Sequence, residues 1–381
     1  MMPDYKGGSI VNLMSSIMSA CGAKSQYKTL RHLSPAEMKS KNIVLLVIDG
    51  LGHDYVMNAK KSYLRSQIKG KMTSVFPPTT AAAITTFMTG LAPHNHGITG
   101  WYMFLKEFGT IVAPLPFISR YGGPELSAIN PFASEIFDHK SVFDKLKVKT
   151  FIVQDAELID SAYTNAHAGR AKKLACTTFD SLAKQVKKVV SGKGKKFVYA
   201  YWPEFDHICH LDGKASKSAA RHYNFLDRKI RKFVKSIKGT DTTVIIVADH
   251  GHIDTVKSKM LFVENHPVLA DSLTVPLSGE PRAAYCFVRP SKTRQFEAYV
   301  RKKLSTVCSL QKSSDLIKKN CYGLFKPHPK LKDRIGDYVL LMKKNYVFRD
   351  SLLGKLPRIH IGNHGGISEE EMFVPLIVVK A

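Results

Sequence analysis

The sequence lacks the cysteine patterns of a disulfide-stabilised protein. Its six cysteines, at positions 21, 176, 209, 286, 308 and 321, form no CxxC pair and follow no regular spacing. Scattered thiols of this kind are typical of a reducing compartment, whereas small secreted domains carry paired, closely spaced cysteines. We therefore expect a cytoplasmic protein with no disulfide framework and no zinc site built from cysteine.

Long hydrophobic runs are also missing. The chain contains no stretch of about 18 uninterrupted apolar residues, which argues against a transmembrane helix. The N-terminal segment MMPDYKGGSIVNLMSSIMSACG has no basic region followed by a continuous apolar core, so it does not match a secretory signal peptide. We interpret residues 10–20 as an amphipathic helix of the folded protein.

Acidic residues are scarce relative to basic ones. The chain has 31 Asp and Glu against 57 Lys and Arg, which leaves a formal net charge of +26. A field of this sign favours anionic substrates, nucleic acid or acidic membrane surfaces. The basic residues are spread in short clusters, such as KKVVSGKGKK (187–196) and RKIRKF (228–233). Two interpretations stay open: a lysine-rich background on solvated faces, or a surface that contacts a polyanion.

Several apolar runs indicate the buried strands of a parallel sheet. Helical patterns at 180–190 and 222–237 lie between them, and this alternation is typical of a sheet covered by helices on both faces. We predict an α/β fold with a mostly parallel central sheet sandwiched by helices, in a single domain spanning 1–381. The pattern changes at about 265–345, which predicts a small inserted α+β subdomain. The strand runs are IVLLVI (43–48), TFIVQ (150–154), KFVYAYW (196–202), TVIIVA (243–248) and FVPLIVV (373–379).

Polar side chains follow three of these runs, where each predicted strand ends. A carboxylate follows the first run, an Asp-x-x-x-His pair the third and an Asp-His pair the fourth, while a histidine between glycines precedes the last. The carboxyl ends of strands line the ligand crevice of an open α/β sheet. Carboxylates gathered there would repel one another without a cation, and Asp with His suits Zn²⁺ or another first-row divalent ion. The candidate ligands are Asp49, Asp206, His210, Asp249, His250 and His364.

The stretch PPTTAAAITTFMTG predicts a helix that begins at Thr79 or Thr80 and ends at Gly90. One threonine is expected to cap the helix through its hydroxyl. A second hydroxyl at a helix N-terminus lies where an anion is favoured, and a divalent metal beside it could activate it as a nucleophile. From the residues alone, capping without catalysis remains open for both.

Taken together, the motifs resemble those of the alkaline phosphatase superfamily, in its type I phosphodiesterase/nucleotide pyrophosphatase branch. They are Asp49-Gly50, Thr89-Gly90 followed by LAPHNHGI (91–98), Asp206-x-x-x-His210, Asp249-His250-Gly251 and His364-Gly365, and the resemblance covers roughly residues 10–380. It implies an alkaline phosphatase-like catalytic domain with two divalent metal ions, probably zinc in this family. One ion would be held by Asp49, Thr80, Asp249 and His250, and the other by Asp206, His210 and His364.

The resemblance also assigns the nucleophile. In the nucleotide pyrophosphatases the nucleophilic threonine precedes the glycine of the Thr-Gly pair by ten residues, which selects Thr80 and leaves Thr79 as the cap. The implied reaction is hydrolysis of phosphodiester or pyrophosphate bonds in nucleotide-like substrates through a phosphothreonine intermediate. The expected partner is a small phosphate ester or nucleotide.

The substrate pocket is less well defined. The family carries an asparagine three residues after the nucleophile where this chain has Ala83, so we expect Asn95 or a backbone N–H to contact a nonbridging oxygen. Trp101 and Tyr102 are candidates to stack on a base, with core packing as the alternative. Two other functions stay open: a phosphomonoesterase of the same superfamily, and a basic protein that binds nucleic acid or another polyanion on a hydrolase fold.

Overall fold

The structure, a computed structural model, describes residues 1–130, 133–351 and 359–381. In these residues the strands are, in chain order, β1 (Asn42–Ile48), β2 (Ile68–Thr73), β3 (Met103–Leu105), β4 (Thr110–Ala113), β5 (Ile118–Ser119), β6 (Lys149–Asp155), β7 (Lys172–Cys176), β8 (Lys196–Trp202), β9 (Thr242–Val247), β10 (Ile253–Asp254), β11 (Met260–Phe262), β12 (Ser278–Glu280), β13 (Ala283–Cys286), β14 (Cys308–Lys312), β15 (Tyr338–Met342), β16 (Val347–Arg349), β17 (Gly362–Asn363) and β18 (Phe373–Lys380).

Helices connect these strands. In chain order they are α1 (Ile10–Ala20), α2 (His53–Asn58), α3 (Tyr63–Ser66), α4 (Thr80–Thr89), α5 (Pro93–His96), α6 (Leu126–Ile129), α7 (Val142–Lys145), α8 (Ala162–Ala168), α9 (Phe179–Val190), α10 (Glu204–Asp212), α11 (Lys217–Ser236), α12 (Pro267–Ser272), α13 (Thr293–Tyr299), α14 (Ser313–Lys318), α15 (Leu331–Arg334) and α16 (Glu369–Met372). None of the helices that the structure describes is both long and apolar enough to span a bilayer.

A seven-stranded sheet forms the centre of the molecule, in the order β2-β18-β9-β1-β8-β6-β7. The five apolar runs form β1, β6, β8, β9 and β18. The first four pair in parallel, whereas β18 pairs antiparallel with both β2 and β9. The predicted mostly parallel central sheet is therefore confirmed, with its last strand reversed.

Helices cover both faces of this sheet. Phe143 of α7 packs on Phe197 and Tyr199, whereas Phe179 of α9 packs on Trp202. Successive side chains of β8 point to opposite faces, so the odd-numbered and even-numbered contacts lie on opposite sides of the sheet. The α/β sandwich expected from the alternating pattern is what the chain forms.

Helix α1 corrects one expectation. A helix does span residues 10–20, but it is buried on all sides rather than amphipathic. Its polar residues reach backbone carbonyls: Asn12 Nδ2 donates to Lys28 O at 2.8 Å, and Ser15 Oγ donates to Tyr27 O at 2.6 Å. These hydrogen bonds let polar positions face protein instead of water, which hydrophobic periodicity alone does not reveal.

A second, four-stranded antiparallel sheet lies in the region predicted as an α+β insertion. Its order is β12-β13-β15-β14, and its strands come from residues 278–342. One face packs on α13 through Phe296 and Val300, and the other packs on Phe76 and Tyr322 of the main body. The treatment of this segment as a subdomain of one catalytic domain stays a prediction.

A buried ion pair ties this second sheet to the segment that precedes β18. The Arg282 guanidinium donates to both carboxylate oxygens of Glu371 at 2.7 and 2.8 Å, and its remaining donors reach the carbonyls of Lys344 and Tyr346. Glu371 in turn accepts the Gly366 N–H at 2.7 Å. Both side chains are buried, so the pair holds the chain just after His364 against the second sheet.

We expect Glu371→Gln to lower the free energy of unfolding by about 3 kcal/mol, because it leaves the Arg282 charge buried without its counter-ion. The matched control is Asp180→Asn, which breaks an exposed pair with Lys229 and should cost about 0.2–1 kcal/mol. Urea denaturation measures both values. Equal losses in the two variants would contradict a structural role for the buried pair.

Candidate active site

Strand register brings the first two carboxylates together. β1 pairs in parallel with β9 so that Val47 lies opposite Val247, and with β8 so that Ile48 lies opposite Trp202. Continuing the first register by two residues places Asp49 beside Asp249. The same edge receives the chain that leaves β8 toward α10. The carboxyl ends of three neighbouring strands therefore deliver their polar residues to one place, as expected for this kind of sheet.

The first group of ligands contains Asp49, Thr80, Asp249 and His250. The His250 Nε2 atom lies 3.3 Å from Asp49 Oδ1, 3.4 Å from Asp249 Oδ2 and 3.2 Å from Thr80 Oγ1. All four residues are buried. The structure thus gathers around one imidazole nitrogen the four residues assigned to one ion.

The second group contains Asp206, His210 and His364. Asp206 and His210 lie one turn apart on α10, with His210 Nε2 3.3 Å from Asp206 Oδ2. His364 follows β17, and its Nε2 atom lies 3.3 Å from His210 Nε2 and 3.9 Å from Asp206 Oδ1. The helical spacing puts the first two side chains on one face, and tertiary folding adds the third.

The two groups are neighbours. The imidazole rings of His250 and His364 stack with their centroids 3.8 Å apart, one ring from each group. His252 also lies at this junction, with its Nε2 atom 2.9 Å from Asp206 Oδ1. The predicted ligands therefore form one continuous cluster at the carboxyl edge of the sheet.

Hydrogen bonds fix which imidazole nitrogen faces the carboxylates. His250 donates its Nδ1–H to Gly251 O at 3.1 Å, and His210 donates its Nδ1–H to Gly362 O at 2.8 Å. In the neutral imidazole the Nε2 atom then carries a lone pair. Each lone pair faces carboxylate oxygens at close range, an arrangement of acceptors that a cation between them would satisfy.

Other atoms of the cluster point the same way. Asp49 Oδ1 and Asp249 Oδ2 are buried and accept no hydrogen bond from the residues that the structure describes. The second oxygen of each carboxylate is used: Tyr201 OH donates to Asp49 Oδ2, and the N–H groups of Gly50 and His250 donate to Asp249 Oδ1 at 3.0 Å. Buried polar atoms seldom lack partners, so the residues present fit a bound metal.

The charges of the cluster agree with this fit. Burial raises the pKa of Asp49 well above its usual value, and the charges of Asp249 and Asp206 raise it further. Burial also acts to raise the pKa of Asp206, but the attraction of His210, His252 and His364 lowers it well below its usual value. Burial lowers the pKa of His364, which keeps this imidazole neutral. Bound cations would relieve the carboxylate repulsion and use the neutral imidazoles as ligands.

The two threonines at the start of α4 occupy different environments. Thr79 is the N-cap residue by backbone conformation, with φ −145°, but its hydroxyl makes no capping hydrogen bond. Thr80 is the first helical residue, and its hydroxyl contacts His250 within the ligand cluster. Gly90 ends the helix in the left-handed conformation, with φ +72°. Of the two hydroxyls, that of Thr80 lies among the candidate ligands.

Two residues near the ligands were not predicted to belong to the cluster. Tyr201 lies near the end of β8 and holds Asp49; within an apolar strand it gives no sequence signal of such a role. His252 was interpreted as an ordinary polar residue, although its position two residues after His250 was a usable signal. Its ring lies over Gly50, where an added Cβ would come within 2.5 Å of Nε2. The close approach requires glycine there.

The residues proposed for substrate contact lie in different settings. The Trp101 N–H donates to Glu280 Oε1 at 2.5 Å, and Glu280 packs against Gly365, next to His364. Tyr102 follows, with the Arg120 guanidinium 4.8 Å from its ring centroid. These half-buried aromatic residues therefore lie beside the ligand-bearing segment, and base stacking stays a prediction for them.

Asn95 is held in a different network. Its Nδ2 atom donates to Leu324 O at 2.9 Å and Lys326 O at 3.0 Å, and its Oδ1 atom accepts from Tyr27 OH at 2.7 Å. A role as phosphate donor would require breaking these hydrogen bonds. Arg349, which the sequence analysis did not select, donates through Nη2 to Asn363 beside His364 and has a buried Nε without a partner among the described residues.

A further group of acidic and imidazole side chains, Asp138, His139 and His328, lies outside the cluster. The His328 Nδ1 atom accepts the Lys330 N–H at 3.1 Å, so in the neutral ring Nε2 carries the proton. That nitrogen lies 3.3 Å from Asp138 Oδ1. His328 thus donates to the carboxylate and has no lone pair left for a metal.

Comparison with solved structures shows the same fold elsewhere. The chain is similar to mouse ectonucleotide pyrophosphatase/phosphodiesterase 5 (ENPP5, NPP5), with a TM-score of 0.66 and 16% sequence identity, over 88% of this chain and 87% of that one. The human protein of the same name matches with the same TM-score, identity and coverage. An inactive form of the mouse protein in complex with AMP matches with a TM-score of 0.65 at 16% identity, over 88% of this chain and 87% of that one. These likenesses show the fold.

Comparison of sequences identifies the family. A search of curated proteins found no match. The family model described as Type I phosphodiesterase / nucleotide pyrophosphatase matches residues 43–367, which contain every candidate metal ligand and both threonines of the α4 start. This metal-dependent family hydrolyses phosphodiester bonds, and the cluster supplies candidate metal-binding groups. The chain therefore belongs to the type I phosphodiesterase/nucleotide pyrophosphatase family of hydrolases.

Proposed function

We propose that this protein hydrolyses phosphodiester or pyrophosphate bonds of nucleotide-like substrates through a phosphothreonine intermediate at Thr80. The observation that carries the proposal is the position of the Thr80 hydroxyl, 3.2 Å from His250 Nε2 and next to carboxylate oxygens that lack hydrogen-bond donors. A threonine in an ordinary helix start has no need of such a setting.

Two zinc ions are the cofactors that we propose. Asp49, Thr80, Asp249 and His250 would hold one ion, and Asp206, His210 and His364 the other. Neutral imidazole and carboxylate ligands suit Zn²⁺, which is commonly bound by such mixed sets. When bound, the ions supply positive charge that polarises the phosphoryl oxygens and favours ionisation of a nearby hydroxyl.

The steps follow from the positions of the protein groups. Thr80 Oγ1 attacks phosphorus, an Oγ1–P bond forms, and the bond from phosphorus to the leaving alcohol or nucleotide breaks as the threonine proton is lost. Water then attacks the phosphothreonine, the Oγ1–P bond breaks, and phosphate or a nucleotide leaves with the Thr80 hydroxyl restored. The N-terminus of α4 favours the negative charge of the bound phosphoryl group, because its first N–H groups have no helical partner.

The comparison with ENPP5 supports both the nucleophile and the substrate class. The inactive mouse protein that was solved with AMP carries an alanine in place of a threonine. A threonine that is needed for activity and a bound nucleotide are the features that we propose for this chain. Trp101 and Tyr102, beside the ligand segment, are the candidates to contact the base.

The proposal predicts a preference for diesters. We expect kcat/KM for bis(p-nitrophenyl) phosphate to exceed that for p-nitrophenyl phosphate by at least about tenfold, a difference of about 1.4 kcal/mol in transition-state stabilisation. A chelator should abolish both activities, because the ligand cluster is then left uncompensated, and added zinc should restore them. Release of p-nitrophenolate measures each rate.

The matched comparison is the same assay with magnesium or calcium added after chelation, since these ions prefer oxygen ligands. A preference for the monoester would instead support the phosphomonoesterase alternative. Undiminished turnover after the chelator has removed all bound metal would contradict the two-zinc proposal.

A further inference from the structure

A basic groove lies at the end of the central sheet opposite the ligand cluster. It has a volume of about 780 Å³ and is lined by residues 144–151, which lead into β6, and by residues near the starts of β7 and β8. β6 and β8 are in register from Lys149 and Lys196 onward, so their amino ends meet there. Since a seven-residue strand is about 20 Å long, the groove is separated from the ligand cluster by the length of the sheet.

The lining of the groove is strongly cationic. A second, adjoining depression shares Val148 and Lys195 with it, and we call the two together the basic groove. Among the residues that line either depression, all of which the structure describes, Asp144 is the one carboxylate. The cationic residues of the lining are Lys39, Lys41, Lys145, Lys147, Lys149, Arg170, Lys172, Lys195 and Lys196.

Some of these cations have structural roles. Lys145 Nζ donates to Thr89 O at 2.9 Å, Arg170 Nε donates to Phe143 O at 3.1 Å, and Lys196 Nζ donates to Gly192 O at 2.7 Å. Their side chains hold loops in place, and their charge is added to the groove without their being free to move toward a ligand.

The remaining lysines are not paired. Lys147, Lys149, Lys172 and Lys195 are exposed. In the described part of the chain no carboxylate lies within ion-pair distance of them, whereas lysines elsewhere, such as Lys229, have such partners. Their mutual repulsion is felt by Lys196, whose pKa is lowered first by burial and then by the charges of Lys41 and Lys149. The groove therefore collects positive charge that the protein itself does not neutralise.

The shape of the surface selects among polyanions. A membrane surface is flat, and peripheral proteins usually add exposed apolar side chains that insert into it. The large exposed hydrophobic residues of the described chain, such as Leu158, Leu211 and Phe325, are not among the residues that line the groove. A concave, wet and purely cationic groove instead fits a flexible chain of phosphates.

We propose that the basic groove binds the phosphate backbone of a single-stranded nucleic acid. The inference does not depend on the proposed hydrolysis, because the groove shares no residue with the ligand cluster. Binding in the groove holds a polyanion on the face away from the catalytic edge and explains where part of the +26 charge is used.

The test is a triple variant, Lys149→Gln, Lys172→Gln and Lys195→Gln, with fluorescence anisotropy of a labelled single-stranded oligonucleotide. We expect the wild type to bind with an affinity that falls steeply between about 50 and 200 mM salt. The triple variant should bind at least about tenfold more weakly, and its slope of log K against log salt should be shallower by about 2, because each lost phosphate contact removes about 0.7.

A matched control separates the groove from net charge. Lys187→Gln, Lys302→Gln and Lys303→Gln lower the charge by the same three units at exposed positions outside the groove. This control should bind as the wild type does, and both variants should keep wild-type diester hydrolysis and melting temperature. Equal weakening in both variants, absence of wild-type binding, or binding to anionic phosphatidylserine vesicles but not to the oligonucleotide would each overturn the proposal.

Discussion

Replacing Thr80 by alanine is expected to lower kcat for bis(p-nitrophenyl) phosphate by at least about 1000-fold, since loss of a nucleophile typically costs this much or more. Thr79→Ala, one residue away, should retain activity within about tenfold. The reason is geometric: the Thr80 hydroxyl lies among the candidate ligands, 3.2 Å from His250 Nε2, while Thr79 precedes the first turn of α4.

A second readout links this loss to a covalent step. Acid quenching during turnover, followed by peptide mass spectrometry, should find phosphate on the peptide of the wild type and of Thr79→Ala, and none on that of Thr80→Ala. Both variants should keep the wild-type melting temperature to within a few degrees, because neither hydroxyl makes a capping bond to the α4 backbone. An inactive Thr79→Ala beside an active Thr80→Ala would refute the assignment.

The other large effect is expected for His210→Ala. Removing this imidazole takes a ligand from the group with Asp206 and His364, so metal content should fall by about one ion per chain and kcat/KM by at least about 100-fold. Inductively coupled plasma mass spectrometry of purified protein measures the metal, and diester hydrolysis measures the rate.

The same helix provides the control. His207 lies on α10 three residues earlier but is exposed, so His207→Ala should keep both metal and activity. Loss of the same amount of metal in both variants would mean that purification, not ligation, sets the content. Full metal content in His210→Ala with normal activity would remove this histidine from the proposed site.

Part of this architecture was readable in the sequence. The apolar runs that form β1, β6, β8 and β9 were found because parallel strands buried on both faces lack polar residues. The edge strands β2 and β7 were missed because IKGKMT and KKLAC alternate polar and apolar residues with exposed lysines, which periodicity does not separate from a loop. Strand β18 was found, but its reversed direction depends on its pairing with β2 and β9.

The candidate site divides in the same manner. Motifs around Asp49, Asp206 and Asp249 identified the ligand types, because adjacent Asp and His after a strand are uncommon in turns that serve folding alone. The contact of Tyr201 with Asp49 and the closeness of Glu280 to Gly365 join residues far apart in the chain. Such contacts leave no local pattern, so they could not be predicted.

The sequence by itself determined the fold class, the identity of the ligands and the size of the positive charge, since each is a property of residue types and their spacing along the chain. Tertiary structure decided which atoms face one another: the lone pairs of His210 and His250 toward carboxylates, one threonine hydroxyl among the ligands, and unpaired lysines in a groove at the far end of the sheet. The physical reason is that electrostatic interactions depend on distances through space, which strand register and helix packing set and composition does not.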